Sequence, residues 1–203
     1  MSLEELTRKK YGENFEVVDD IEDLDLTNIG SIQHLDELDK KYLEQFIIVK
    51  RLVMSNIGLQ SLTNWPSIPS LENLDLSYNA LSNGVQNIVF NTPNIRSLSL
   101  QGNKFTDTES FKCLKVLKKL EVLNVENNPL ATIENYRSQI FKEVPNLNLV
   151  DGFDENGNEY LDSYDGSNYE EEDCWSNEKE REKTVSEGSS IVAKLGASDS
   201  EIE

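Results

Sequence analysis

Residue types that perform covalent chemistry are scarce in this chain. His34 is the single histidine, and Cys113 and Cys174 are the two cysteines. Neither type reaches the number or spacing that a transition-metal site or a disulfide framework requires. The phosphate-cradling G-x-x-x-x-G-K-[ST] and G-x-G-x-x-G patterns are missing, as is the G-x-S-x-G nucleophile elbow. Asp154-x-Asn156-Gly157-Asn158 suggests a calcium loop, but in that register position one is Gly152 and position twelve is Ser163, so both key carboxylates are lacking. With 38 acids in the chain, spacing alone nominates no acid/base pair. The expectation is therefore no catalytic residue, no metal site and no cofactor. The chemistry left is recognition by carboxylates, amides and aromatic rings.

Charge says what could be recognised. The 203 residues hold 38 acids against 19 bases, a net charge of −19 with a pI near 4.4. Phosphate contacts need clustered Lys and Arg, so duplex DNA and anionic membrane surfaces are excluded as direct partners. A basic protein is the favoured partner through steering and complementarity. The first twenty residues contain Glu4, Glu5, Arg8, Lys9 and Lys10 and no apolar targeting core. Phe46-Ile47-Ile48-Val49 is far too short to cross a bilayer. A soluble intracellular protein of a reducing compartment is expected.

The acids are concentrated late. Residues 152–203 carry 16 acids and 4 bases, and apolar residues thin out after Phe153. Such a segment cannot bury enough apolar surface to offset the entropy of ordering it. The chain therefore divides into a body, 1–157, and an acidic, largely disordered tail, 158–203. Within the tail Tyr160, Tyr164, Tyr169 and Trp175 are interleaved with Asp162, Asp165, Glu170, Glu171, Glu172 and Asp173. Acids would attract a basic partner and the rings would anchor it. A merely solvating tail is the alternative. Ser198 and Ser200 sit in an acidic context suited to phosphorylation.

The body is a repeat array. The pattern apolar-x-x-Leu-x-Leu-x-x-Asn-x-Leu starts at Leu71, Ile95 and Leu120, with Asn79, Asn103 and Asn128 in phase. Looser copies start at Ile21 and Val49, and both carry Asn-Ile-Gly, at 28–30 and 56–58. A broken sixth unit begins at Leu147. Alternating Leu-x-Leu forms a short strand with its leucines inward, and stacked strands form a parallel sheet. Helix-like return segments at Val85–Phe90, Phe111–Leu120 and Asn135–Val144 cover the other side. Strands pack closer together than helices, so the stack curves with the sheet concave. The fold class predicted is α/β: a right-handed leucine-rich repeat solenoid with a concave parallel β-sheet and helices or turns on the convex side. An N-terminal helical cap (1–20), opened by the capping box Ser2-x-x-Glu5, and a C-terminal cap (131–157) close its ends.

The outward strand positions are the third, fifth and seventh of each repeat. They supply Asp23, Asp25 and Thr27; Arg51, Val53 and Ser55; Asn73, Asp75 and Ser77; Ser97, Ser99 and Gln101; Val122, Asn124 and Glu126. Arg51 is the only base among them. Concave solenoid faces are docking surfaces, although short polar side chains also simply solubilise a sheet. Asp25 and Asp75 are the leading candidates for partner contact.

Three stretches carry a family resemblance: Asn56-Ile57-Gly58-Leu59, Leu71-Glu72-Asn73-Leu74-Asp75-Leu76-Ser77-Tyr78-Asn79, and Asn135-Tyr136-Arg137-Ser138-Gln139-Ile140-Phe141 running on to Val150-Asp151-Gly152-Phe153-Asp154. With the order of parts, they make residues 1–157 resemble the acidic leucine-rich nuclear phosphoproteins. The resemblance implies a non-enzymatic nuclear adaptor, also present in the cytoplasm, that binds histones and other basic proteins in a chaperone-like manner. It equally implies inhibition of a type 2A protein phosphatase or of histone acetylation as an alternative. A constitutive scaffold subunit, like the leucine-rich component of a splicing particle, is the other alternative. The tail departs from the family's nearly all-acidic one in containing Lys179, Arg181, Lys183 and Lys194.

Overall fold

The computed structural model describes residues 2–13, 15 and 20–160. Helix α1 (Leu3–Tyr11) precedes β1 (Asp23–Asp25), α2 (Glu37–Leu43), β2 (Arg51–Val53), β3 (Asn73–Asp75) and α3 (Val85–Asn91). After these come β4 (Ser97–Ser99), a 3-10 helix (Glu109–Val116), β5 (Val122–Asn124), a second 3-10 helix (Pro129–Thr132), α4 (Tyr136–Glu143) and β6 (Leu149–Val150). The six strands pair in chain order and all in parallel, with repeat positions in strict register: Leu24, Leu52, Leu74, Leu98 and Leu123 lie side by side. The sixth, broken unit contributes β6 as the end strand.

The first, fourth, sixth and eleventh positions of the repeats form the core. Leu71, Leu74, Leu76 and Leu81 are buried, as are Ile95, Leu98, Leu100 and Phe105, then Leu120, Leu123, Val125 and Leu130. The return segments close it with Trp65, Val85, Ile88, Phe111, Leu114 and Ile140. The segment at 111–120 is a 3-10 helix over Glu109–Val116 rather than an α-helix, while α3 and α4 lie where the spacing places helices.

Asparagine side chains join the repeats. Asn103 Oδ1 accepts from the Leu81 N–H at 3.0 Å, while its Nδ2 donates to the carbonyls of Leu76 (3.0 Å) and Leu100 (2.9 Å). Asn128 repeats this with Phe105, Leu100 and Val125, and Asn79 reaches Ile57, Leu59, Met54 and Leu76. All three are buried. In the first two repeats the asparagine is one position earlier because it does a different job. Asn28 (φ 58°) and Asn56 (φ 52°) occupy the left-handed turn that in later repeats holds Tyr78, Gly102 and Asn127. Asparagine tolerates that conformation better than most side chains.

Both ends are closed by polar devices. Ser2 and Glu5 form the capping box of α1, burying Leu3 and Leu6. The Leu3 N–H donates to the buried carboxylate of Asp39 at 2.8 Å, which ties α1 to α2. Helix α2 falls within the long connection after the first repeat; its own capping box, Asp36 and Asp39, is the sequence signal for it. At the other end Asp151, buried, accepts from the Val125 N–H at 2.6 Å and from the Tyr136 hydroxyl at 2.7 Å. Arg137 lies against the same carboxylate at 3.5 Å and over the Phe153 ring at 4.3 Å. Tyr136 and Arg137 thus serve closure of the stack.

These bonds predict two stability effects. Asn103→Ala should cost about 2–4 kcal/mol, because it strands buried amide and carbonyl groups, whereas Asn56→Gly should cost under about 1 kcal/mol since glycine also adopts the turn. Urea denaturation checks both. Burial, and then the bond to Asp151, hold the Tyr136 phenol well above its ordinary 10.0. Its folded-state value is raised, so its contribution is complete below pH 10 and is lost as pH rises further. Tyr11 and Tyr42 are raised as well, by burial first. Tyr136→Phe should therefore make the alkaline fall in melting temperature shallower without abolishing it.

Candidate partner-binding face

The strand face is built by register. Asp23, Arg51, Asn73, Ser97 and Val122 form one row across it, and Asp25, Val53, Asp75, Ser99 and Asn124 form the next. In the second row a side-chain oxygen caps the chain's exit from the strand. Asp25, Asp75 and Asn124 accept from the N–H two residues on, at 2.7, 2.8 and 3.0 Å. One oxygen of Asp25 and of Asp75 and the amide oxygen of Asn124 are thereby engaged, and these side chains are held in fixed positions.

The N-terminal end of the face is neutralised. Arg51 Nη1 donates to both oxygens of Asp23, at 3.1 and 2.9 Å. Lys10, at the end of α1, donates to Asp25 Oδ1 at 3.2 Å and to its carbonyl at 2.7 Å, while the Tyr11 hydroxyl donates to that carbonyl at 2.6 Å. Arg51 is therefore joined on this face by a second base, delivered by the N-terminal helix. Burial pushes the Asp25 carboxyl up, but bonds from the Thr27 hydroxyl and N–H and from Lys10 outweigh it, and its pKa is lowered.

The rest of the face differs. Among the described residues, no Lys or Arg lies within ion-pair distance of Asp75 or Glu126. Gln101 Nε2 donates to Glu126 Oε2 at 3.2 Å, which orients that carboxylate without discharging it. Asn73 and Asn124 are half-buried beside them. Ser97 and Ser99 are only 5% and 9% exposed, and the Ser99 hydroxyl lies 2.7 Å from that of Ser77. Their short side chains sink between longer neighbours and offer a partner little surface.

The cap forms a shallow groove of about 430 Å³ lined by Tyr136, Arg137, Phe141 and Phe153 among others. Asp154 at its edge spends Oδ1 on the Asn156 and Asn158 N–H groups and Oδ2 on the Asn158 amide. His34 is exposed. The tail candidates Tyr164, Tyr169, Glu170, Glu171, Glu172, Asp173 and Trp175, with Ser198 and Ser200, lie outside the described residues.

The Lys10–Asp25 contact gives an acid-side prediction. A carboxyl whose folded pKa is lowered stabilises above its unfolded value, 3.8, and that stabilisation fades as pH falls through the folded one. Asp25→Asn should flatten the fall of melting temperature below about pH 4. The exposed pair limits the effect to less than about 1 kcal/mol.

Known proteins place this architecture. The leucine-rich repeat family profile matches residues 28–155. Acidic leucine-rich nuclear phosphoprotein 32 family member A of Drosophila pseudoobscura pseudoobscura is 37% identical over 139 residues, covering 68% of this chain and 51% of that protein. The acidic leucine-rich nuclear phosphoprotein 32-related protein of Plasmodium falciparum is 36% identical over 158 residues, covering 70% and 56%. The chain thus spans about half the length of the curated relatives it matches. Among solved structures, a chain of the Drosophila melanogaster SNF/U2A' complex superposes with a TM-score of 0.56 at 29% identity, over 64% of this chain and 71% of that one. The chain belongs to the leucine-rich repeat family and, within it, groups with the acidic leucine-rich nuclear phosphoproteins.

Proposed function

We propose that this protein is a non-catalytic nuclear adaptor that captures basic proteins, histones first, in a chaperone-like manner. The observation that carries the reading is that Asp75 and Glu126, held by backbone and amide bonds on the strand face, have no Lys or Arg within ion-pair distance among the described residues. Fixed acceptors lose little entropy when a lysine or arginine arrives. The acidic, aromatic segment 158–203 supports the same reading by composition, since its charge would raise the encounter rate with a cationic chain. The nuclear part of the reading rests on the names of the relatives.

A second reading has its own support. The likeness to a chain of the SNF/U2A' complex favours a scaffold whose concave face grips one dedicated partner, with the tail dispensable. Binding of core histones by the full chain and by a 1–157 truncation, across a salt series, separates the two. Under the adaptor reading the full chain binds below micromolar, weakens steeply with salt and loses affinity on truncation. Retention of all affinity by 1–157 would place capture on the strand face alone. Absence of histone binding by either form would sink the adaptor reading and leave the scaffold.

A further inference from the structure

The turn that follows each strand requires a left-handed residue, and four of the five repeats fill it with asparagine or glycine: Asn28, Asn56, Gly102 and Asn127. The third repeat uses Tyr78, with φ 56°. An L-residue with a bulky side chain costs about 1–2 kcal/mol in that conformation. Its ring is not buried in return, since Tyr78 is 56% exposed. One face of the ring lies on the next repeat, where a Cβ added to Gly102 would meet the ring at 2.6 Å. Gly102 thus leaves room for the ring to lie down, and more than half of the tyrosine stays open to solvent.

The surroundings give this face its chemistry. The Tyr78 N–H donates to the Gln101 carbonyl at 2.7 Å, and the Gln101 side chain holds Glu126. In its own repeat, Asp75 is bonded to the N–H of Ser77, the residue before Tyr78. An exposed aromatic ring, three residues after Asp75 and bonded through its backbone to Gln101, the residue that holds Glu126, is complementary to a cation, and among the described residues neither carboxylate has a Lys or Arg within ion-pair distance. A ring attracts ammonium or guanidinium groups within about 6 Å of its centre, and flanking carboxylates add charge-assisted bonds. An apolar partner residue would have to cover both carboxylates and leave them unpaired.

We infer that the open face of Tyr78 is the seat for one lysine or arginine side chain of a basic partner, flanked by Asp75 and Glu126. The inference rests on the adaptor reading and names its anchor on the strand face. The anchor belongs to the middle of the array, apart from the neutralised end at Asp23 and Asp25.

The turn supplies a clean test, because asparagine is native to it in three other repeats. Full-length wild type, Tyr78→Asn, Tyr78→Phe and the double variant Asp75→Asn/Glu126→Gln are titrated with a labelled twenty-residue peptide of alternating lysine and glycine. The titration is run at 0.3 M salt, where long-range attraction is screened. Tyr78→Asn should melt no lower than wild type and bind about 3- to 30-fold more weakly. Tyr78→Phe, which keeps the ring face, should bind within about twofold of wild type. The double variant should also weaken binding. If Tyr78→Asn binds like wild type, the seat is wrong whether or not the double variant weakens binding, and capture of basic chains elsewhere stands. Equal losses in Tyr78→Asn and Tyr78→Phe would assign the contact to the hydroxyl and overturn the ring-face seat. A wild type that ignores the peptide even at low salt would bring down the adaptor reading together with the seat.

Discussion

A strand of three residues ends almost as soon as it begins, and the carbonyls and amides it leaves behind must be bonded inside the stack. Everything else in this molecule depends on how that is done. In the middle repeats one buried asparagine per turn accepts one or two N–H groups and donates to carbonyls of its own and the preceding repeat. A buried amide whose oxygen and nitrogen are both bonded stabilises where an unbonded one would cost about 1–3 kcal/mol. The leucines supply the burial, but the asparagines fix the spacing between repeats, and that spacing sets the register of the strand face.

The ends of the array show what happens when the next asparagine is missing. The first two repeats have Ile29 and Ile57 at the ladder position and move asparagine into the turn, where Asn56 Nδ2 donates to Asn28 Oδ1. Asn79 then reaches back to serve the Ile57 and Leu59 N–H groups. After Asn128 the series stops, and a carboxylate takes over. Asp151 closes the Val125 N–H, and because it is buried its charge needs the Tyr136 hydroxyl and the adjacent Arg137 guanidinium. The Asn-Tyr-Arg and Val-Asp-Gly stretches are therefore parts of one device, separated in sequence and joined in space.

Much of this was legible from residue spacing. The inward leucines, the ladder asparagines and the rows of the strand face follow from periods of two and of about twenty-four residues, and the Ser2–Glu5 cap from its three-residue spacing. What escaped depends on contacts between repeats. That Lys10 would settle on Asp25 requires knowing how α1 lies over the first repeat. That Ser97 and Ser99 would be buried depends on their neighbours in adjacent strands, Asn73, Val122, Asp75 and Asn124. Helix α2 announced itself only through Asp36 and Asp39, because its Glu37–Leu43 span is too short to display a period. Tyr78 stood in plain view in the repeat, but its left-handed turn becomes meaningful only once Asn28, Asn56, Gly102 and Asn127 are aligned with it.

The acidity of the body is directional rather than diffuse. At the second position of each repeat, just before the strand, Glu22, Lys50, Glu72, Arg96 and Glu121 alternate in sign. Lys50 pairs with Glu22 at 3.0 Å, and Arg96 lies 3.8 and 3.7 Å from Glu72 and Glu121. These exposed pairs each contribute little to stability, but together they reduce the charge along that edge to a net of −1, three glutamates against Lys50 and Arg96. The first strand is discharged by Arg51 and Lys10. Among the described residues, carboxylates on the strand face without a basic partner therefore begin at the third repeat, whose turn carries an aromatic ring. A cation approaching the sheet meets acids already engaged by bases at one edge and one end, and fixed acceptors in between. The same backbone constraint that spaces the repeats thus also decides where on the sheet its charge remains available.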